Sequence, residues 1–337
     1  MGLVIPLKNS VSSSYLDLRN LVKIKLNKVE DLIENKLESK VDLIQKMTKH
    51  HLNSGGKRLR AMLTLGSSKL SGYEQGDRDT NLASCVELIH AATLLHDDVI
   101  DESVLRRGNK TTNSIWGNQS SILTGDYLLS RCFEIMVEDG DLEILKLLSS
   151  TSSKIAQGEV LQLQHKGEAD LLEETYIKII NLKTAALFSA ATKTGACLGI
   201  LENKKKEALA SYGKNLGLAF QIADDSLDYF AKEKLFGKEI GKDFYEGKTT
   251  LPIIIIFQRA NKTEREFLKE IFRKEKRTEK NFYEVLNLIS KYKAVEESLK
   301  RAEYFVNVSR DALGIFNDSK EREILQNLSN FSLNRNY

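Results

Sequence analysis

Residues 87–101 read ELIHAATLLHDDVID. Within and just before that stretch Cys85, Leu88, Ile89, Ala92, Leu95 and Val99 recur at the spacing of a helix with an apolar face. A helix there sets Asp97 and Asp101 one turn apart on one side, with Asp98 beside them. Like charges at that spacing cost roughly 0.2 to 0.5 kcal/mol each, so a compensating cation is expected. The same period returns at Leu18, Leu21, Val22, Ile24 and Leu26, and again at Phe282, Val285, Leu286, Leu288 and Ile289. Strand-like alternation is absent, the run from Ile253 to Phe257 being the one exception to consider. The two prolines, Pro6 and Pro252, leave the long interval between them free of the strongest helix breaker. Turn signals at 53–56, 71–76, 107–110, 138–141 and 202–204 divide the chain into segments of about ten to thirty residues. The expected fold class is all-α. No Gly/Ser/Pro-rich linker and no internal repeat divides the chain, so a single domain over 1–337 is expected.

Composition narrows the function. The 337 residues carry 50 Lys+Arg against 47 Asp+Glu, a net charge of +3, which argues against a nucleic-acid protein working by broad phosphate neutralisation. With 41% hydrophobic and 29% charged residues the chain is neither disordered nor collagen-like. Cys85, Cys132 and Cys197 form no CxxC pair and read as buried thiols in a reducing compartment. Residues 1–17 lack the pattern of a secretory signal, and no run approaches the ~20 apolar residues that span a bilayer. A cytoplasmic protein without a transmembrane segment is expected. The Lys/Glu-rich stretch 261–280 alternates in sign and reads as a solvated helix face.

The first aspartate cluster has a counterpart. Residues 220–228 read FQIADDSLD, so Asp224, Asp225 and Asp228 repeat the DDxxD spacing in a second apolar-flanked segment. At this chain's Asp content one chance copy is expected in only about 0.05 chains of this length, and two are far rarer. Carboxylates without imidazole or thiolate partners suit a hard cation such as Mg²⁺, which shares its remaining positions with water and substrate phosphates. Zinc is disfavoured, since His90 and His96 lie at no zinc-ligand spacing from Cys85. Cations accompany the carboxylates. GGKRLR at 55–60 follows a turn and opens a helix, where free amides and Lys57, Arg58 and Arg60 can hold a diphosphate. Arg106 and Arg107 follow the first cluster, and Lys183 with Thr184, Lys238, and Lys248 with Thr249 occur near or before further glycines or small residues. No nucleophile and base constellation, P-loop or GxGxxG occurs. Ionisation of a diphosphate ester needs none, because metal and Lys/Arg stabilise the leaving group.

These stretches, with RRGNKTTNSIWGN at 106–118, GDYLL at 125–129, KTAALFSAA at 183–191 and GKDFYEGKTTLP at 241–252, closely resemble the trans-polyprenyl diphosphate synthases, within them the bacterial long-chain, octaprenyl or decaprenyl branch. The resemblance covers about residues 53–252, in family order. It implies a bundle of long helices around a central cavity with the two Asp clusters facing each other, usually as a homodimer. It also implies three Mg²⁺ per active site, held by Asp97, Asp101 and Asp224 with Asp98, Asp225 and Asp228 in support. Arg106, Lys183, Gln221 and Lys238 would assist on the allylic diphosphate, geranyl or farnesyl. Lys57, Arg60, His90 and Arg107 would bind isopentenyl diphosphate, with Lys248, Thr184 and Asp243 as further members. Condensation then proceeds by ionisation, attack of the alkene and loss of a proton to the departing diphosphate, supplying a quinone side chain.

Product length follows from size. Ala92 and Thr93 lie about one turn before Asp97 on the same side of the helix, where an aromatic would block a growing chain. Their small side chains point to a product longer than four isoprene units, with Phe133 or Met136 as candidate tunnel floor. A class I terpene cyclase typically replaces the second cluster with an Asn/Ser/Glu triad, which Asp224, Asp225 and Asp228 weigh against. A non-catalytic prenyl diphosphate-binding partner would be expected to lose an Asp cluster or the GGKR turn, and both are present.

Overall fold

The computed structural model describes residues 11–35, 39–229 and 240–332. Its helices run in order α1 (Val11–Asn35), α2 (Asp42–Asn53), α3 (Leu59–Leu70), α4 (Arg78–Ile100), α5 (Thr112–Trp116), α6 (Asn118–Asp139), α7 (Leu142–Gln164), α8 (Glu173–Ile180), α9 (Ala186–Leu198), α10 (Asn203–Leu227), α11 (Lys242–Glu246), α12 (Leu251–Arg259), α13 (Lys262–Arg273), α14 (Glu279–Tyr292), α15 (Ala294–Ala312) and α16 (Lys320–Leu328). The all-α expectation holds, and the five turn signals fall at or beside breaks between elements.

Local chemistry sets several ends. Asp141 caps α7 by accepting the amides of Glu143 at 2.9 Å and Ile144 at 3.2 Å. Asn261 with Glu264 and Thr278 with Asn281 form reciprocal caps on α13 and α14. The run Ile253 to Phe257 is helical, not extended. Pro252 sits in the first turn of α12, and Ile253 to Ile256 are all buried, so a helix enclosed on every side shows no apolar period. In α1, Leu18, Val22 and Leu26 form the inward stripe while Ile24 is outside it and exposed.

One feature outside the helical expectation is a two-stranded ribbon, β1 (Leu105–Arg106) with β2 (Asn109–Lys110), antiparallel with Leu105 opposite Lys110. Its turn residues Arg107 and Gly108 both have positive φ, 52° and 80°, as a tight hairpin requires.

Two apolar clusters fill the interior. One gathers α1, α3, α4, α6, α9 and the first half of α10; the other gathers α8, α12, α13, α14 and the second half of α10. Helix α10 runs through both, contributing Tyr212 and Leu216 to the first and Leu218 and Ile222 to the second. Cys85 and Cys132 are buried where α4 meets α6, each thiol directed at the other residue's carbonyl, at 3.7 and 3.6 Å. Cys197 departs from expectation in being only half-buried.

Candidate active site

Each aspartate cluster occupies the last turn of a long helix, Asp97, Asp98 and Asp101 at the end of α4 and Asp224, Asp225 and Asp228 at the end of α10. Within each, some carboxylates are held by the protein. Asp98 is buried and gripped by Arg106 of the hairpin, from Nε at 3.0 Å and Nη2 at 2.8 Å. Burial still raises its pKa, against the pull of Arg106. Asp225 accepts the Tyr176 hydroxyl at 2.6 Å and the Gln221 amide at 2.7 Å. Its pKa is pushed up to about 7, by burial first and by Asp224 and Asp228 beside it. Asp228 accepts the backbone amides of Lys242 at 3.2 Å and Asp243 at 2.9 Å, which fixes the start of α11.

Asp97 and Asp101 instead face ammonium groups. Lys248 reaches Asp101 at 2.9 Å and Glu246 at 2.8 Å. Burial would raise the pKa of Asp101, but Lys248, Lys183 and Lys242 outweigh it and hold the carboxyl below its ordinary range. Lys183 lies 3.9 Å from Asp97, pairs with Glu159 and donates to Gln162 Oε1 at 3.0 Å. Glu159 is pushed up to about 7 by burial, opposed by Lys183 and reinforced by Asp97. Asp243 lies among these groups, its pKa raised well above the usual range by burial and by Asp225 and Asp228.

Lys183 and Thr184 reach this site through a local distortion. Residues Asn181–Ala185 form a single π-helical turn between α8 and α9. Such a turn inserts an extra residue into the helix and re-aims its side chains. Thr184 donates to Gln221 Oε1 at 2.8 Å, extending the chain Thr184, Gln221, Asp225, Tyr176. Helix α7 approaches the turn at Gly158, where a Cβ would stand 2.7 Å from the Lys183 amide nitrogen. Thr184, Gln221, Asp225, Tyr176, Lys183 and Lys248 line a cavity of about 190 Å³.

The surplus of carboxylates raised toward neutrality, with two lysines standing against the others, fits a hard divalent cation by donor chemistry. Among the described residues no three acidic, histidine or cysteine side chains gather tightly enough to hold an ion unaided. A cation sharing its shell with water and ligand phosphate needs only one or two carboxylates from each cluster.

A second corner is cationic. The GGKR turn passes through Gly55 at φ 82° and Arg58 at φ 47° into α3. Glu87 anchors it, accepting the Ala61 amide at 3.0 Å and lying 3.6 Å from Arg58. A Cβ at Gly56 would stand 3.0 Å from Nη1 of Arg107, so the glycine admits that guanidinium against the turn. Arg60 lies on the face of Phe188, 4.6 Å from the ring centre, and Lys57 over Phe331 at 4.9 Å. Desolvation, with Arg60, Arg106 and Arg107, pushes His90 well below its ordinary pKa. His51 falls to about 3 by burial and the same kind of surroundings, Arg106 and Arg107 included. Two histidines kept neutral among the guanidinium groups of Arg58, Arg60, Arg106 and Arg107 give a cationic corner whose chemistry suits an anion.

The structure brings most of the expected residues to these two places. Lys238 lies outside the described residues. Thr93 is half-buried and donates to the His90 carbonyl at 2.8 Å, while Ala92 and Met136 are enclosed. Phe133 corrects an expectation. It is 44% exposed and shares the outer face of α6 with Val137 one turn on, so it does not face the interior. Sequence reading missed His51, Glu87, Glu159, Gln162 and Tyr176. Polar residues at inward positions of apolar helices were the available signal for Glu87 and Gln162; for Tyr176 there was none.

Helical scaffold, paired aspartate clusters and an adjacent anion corner define a class of enzyme that handles diphosphate esters. Known proteins then give the family. A polyprenyl synthetase family model matches residues 41–289. Octaprenyl diphosphate synthase of Escherichia coli is 36% identical over 285 residues, 84% of this chain and 87% of that one. A short chain isoprenyl diphosphate synthase of Methanothermobacter thermautotrophicus is 36% identical over 296 residues, 87% of this chain and 90% of that one. The crystal structure of a decaprenyl diphosphate synthase from Rhodobacter capsulatus superposes with a TM-score of 0.90 at 39% identity, covering 95% of this chain and 98% of that one. The chain belongs to the polyprenyl synthetase family, and it is a prenyltransferase.

Proposed function

We propose that this chain adds isopentenyl diphosphate units, head to tail, to an allylic diphosphate, farnesyl or geranyl, in a Mg²⁺-dependent reaction. The observation that carries the reading is the separation of two charge environments along α4, an acidic cavity edged by Lys183 and Lys248 and a cationic corner with neutral histidines.

The allylic diphosphate belongs at the acidic side. Asp97, Asp101 and Asp224 would hold Mg²⁺, with Asp98, Asp225 and Asp228 fixing the clusters through Arg106, Tyr176, Gln221 and the start of α11. Bound Mg²⁺ supplies charge neutralisation to the leaving diphosphate. Lys183 and Lys248 would meet the oxygens released as the carbon–oxygen bond breaks, moving off their carboxylates as the cations arrive, and the family resemblance adds Lys238 to that role. Arg107, Arg60, Lys57 and His90 would hold the second diphosphate so that the alkene of isopentenyl diphosphate points at the allylic carbon. The new carbon–carbon bond takes the alkene electrons, and the proton lost to restore a double bond passes to the departed diphosphate. Three Mg²⁺ per site rest on the family resemblance.

Ala92 and Thr93 beside Asp97 support a product beyond four isoprene units, with Met136 as the remaining inward candidate for the floor. An octaprenyl-like product would suit a quinone side chain. Leu123, Phe133 and Val137 are large apolar side chains exposed on the outward side of α6, interspersed with Asp126, Ser130 and Glu134, and they support a homodimer. No helix of the described residues is long and apolar enough to cross a membrane; the cytoplasmic location is carried over from the reading of the sequence. Because α10 serves both apolar clusters, we read residues 1–337 as one domain.

Steady-state kinetics on two variants test the assignment of the sites. Arg107→Gln should raise KM for isopentenyl diphosphate about tenfold or more with kcat nearly kept, whereas Asp97→Asn should lower kcat by about 10²- to 10³-fold. Equal effects of both variants on both substrates would contradict two separate diphosphate sites.

A further inference from the structure

The stretch 261–280 read as a solvated face, yet part of it walls a cavity. Between the loop after α7 and the end of α13 lies a cleft of about 500 Å³, larger than the 190 Å³ cavity beside the aspartates and lined by Lys166, Lys269, Arg273, Lys274 and Arg277. The acids on its walls are Glu168, Asp170 and Glu275. Two of these are engaged, Asp170 with Lys269 at 3.1 Å and Glu168 with His165 at 2.7 Å.

Arg277 is the unusual member. Half-buried, it donates from Nη1 to the Tyr245 carbonyl at 3.1 Å and from Nη2 to the Phe272 carbonyl, and among the described residues it pairs with no carboxylate. Nε is enclosed without an acceptor. Burial depresses its pKa, the mark of a charge taken out of water without a counter-ion. A desolvated guanidinium bonded only to neutral carbonyls retains N–H groups and charge for an anion.

We propose that this cleft is a second anion site, for a soluble phosphate or phosphate monoester, with Arg277 as its anchor and Arg273 and Lys166 completing it. Its volume falls in the range of small-molecule sites. It backs onto the catalytic segment: Gly167 donates to the Gly247 carbonyl at 2.9 Å, and the Tyr245 carbonyl held by Arg277 is three residues before Lys248. Lys166 lines both this cleft and the smaller cavity. An anion seated on Arg277 would therefore stiffen the segment that presents Asp243 and Lys248.

Calorimetric titration of the full chain with inorganic phosphate and with adenosine monophosphate tests this, in an Arg107→Gln background that removes an arginine of the cationic corner. One site per chain should persist there. Adding Arg273→Glu or Arg277→Gln should weaken it about tenfold or more, and raising the salt should weaken it further. Arg273 is an exposed helix-end residue, so its variant keeps the test valid should Arg277→Gln fold poorly. Tighter binding of adenosine monophosphate marks a phosphate ester as the ligand, and equal affinity marks free phosphate; either supports the site. Loss of all binding in Arg107→Gln, or an affinity untouched by both cleft substitutions, would overturn it.

Discussion

His51 holds its proton only below a pH of about 3, because folding buries it beside Arg106, Arg107 and Arg58. The unfolded chain binds that proton near 6.5, so folding releases it throughout the interval between the two values. Stability from this residue is complete above 6.5 and declines as the pH falls. At pH 5 the loss amounts to about 2 kcal/mol. His51→Asn should therefore lose about 2 kcal/mol less than the parent between pH 7 and pH 5 in urea denaturation; parallel losses would show that His51 charges freely in the fold. A bound diphosphate in the same corner should favour the charged histidines and shrink the difference. The aspartate clusters and the GGKR turn were legible from sequence because spacing alone states them. His51 was not, since a histidine on an apolar helix face declares nothing until Arg106 and Arg107 are brought to it by a hairpin.

At the scale of elements, the π-helical turn at Asn181–Ala185 depends on close approach of α7. Gly158→Ala would place a Cβ 2.7 Å from the Lys183 nitrogen and 2.9 Å from the Leu182 Cβ. The expected cost is about 1 to 3 kcal/mol of stability, with a fall in kcat larger than the change in KM as Lys183 is displaced. Unchanged stability and kcat would mean that the turn adjusts freely. Helix α4 carries the second prediction at this scale. Ala92→Phe should shorten the product, read by chromatography of the dephosphorylated chains, and an unchanged distribution would remove Ala92 from the control of length. A short-chain and an octaprenyl relative are equally identical to this chain, so overall similarity does not decide length and individual residues must. Neither the π-turn nor the hairpin at 105–110 was legible. Period reading detects regular repeats, and both elements are breaks in regularity. The buried α12 escaped for the opposite reason, having no polar face to give it a period.

For the molecule as a whole, the outward side of α6 leaves Leu123 and Val137 each 66% exposed alongside Phe133. Leu123→Glu combined with Val137→Glu should convert a dimer to a monomer in sedimentation velocity, while a variant that sediments as the parent would place the interface elsewhere. The helical class and the run of turns were legible across the chain because apolar periodicity is a property of long segments. The division into two apolar clusters threaded by α10 was not, since it depends on which helices meet.

Repeated condensation is the reaction proposed for the paired clusters. Purified protein with Mg²⁺, farnesyl diphosphate and labelled isopentenyl diphosphate, its products dephosphorylated and chromatographed against chain-length standards, tests it most directly. The expected result is a ladder ending at one defined chain longer than four isoprene units, abolished by chelating the metal or by Asp224→Asn. Release of diphosphate without incorporation of isopentenyl diphosphate would contradict it.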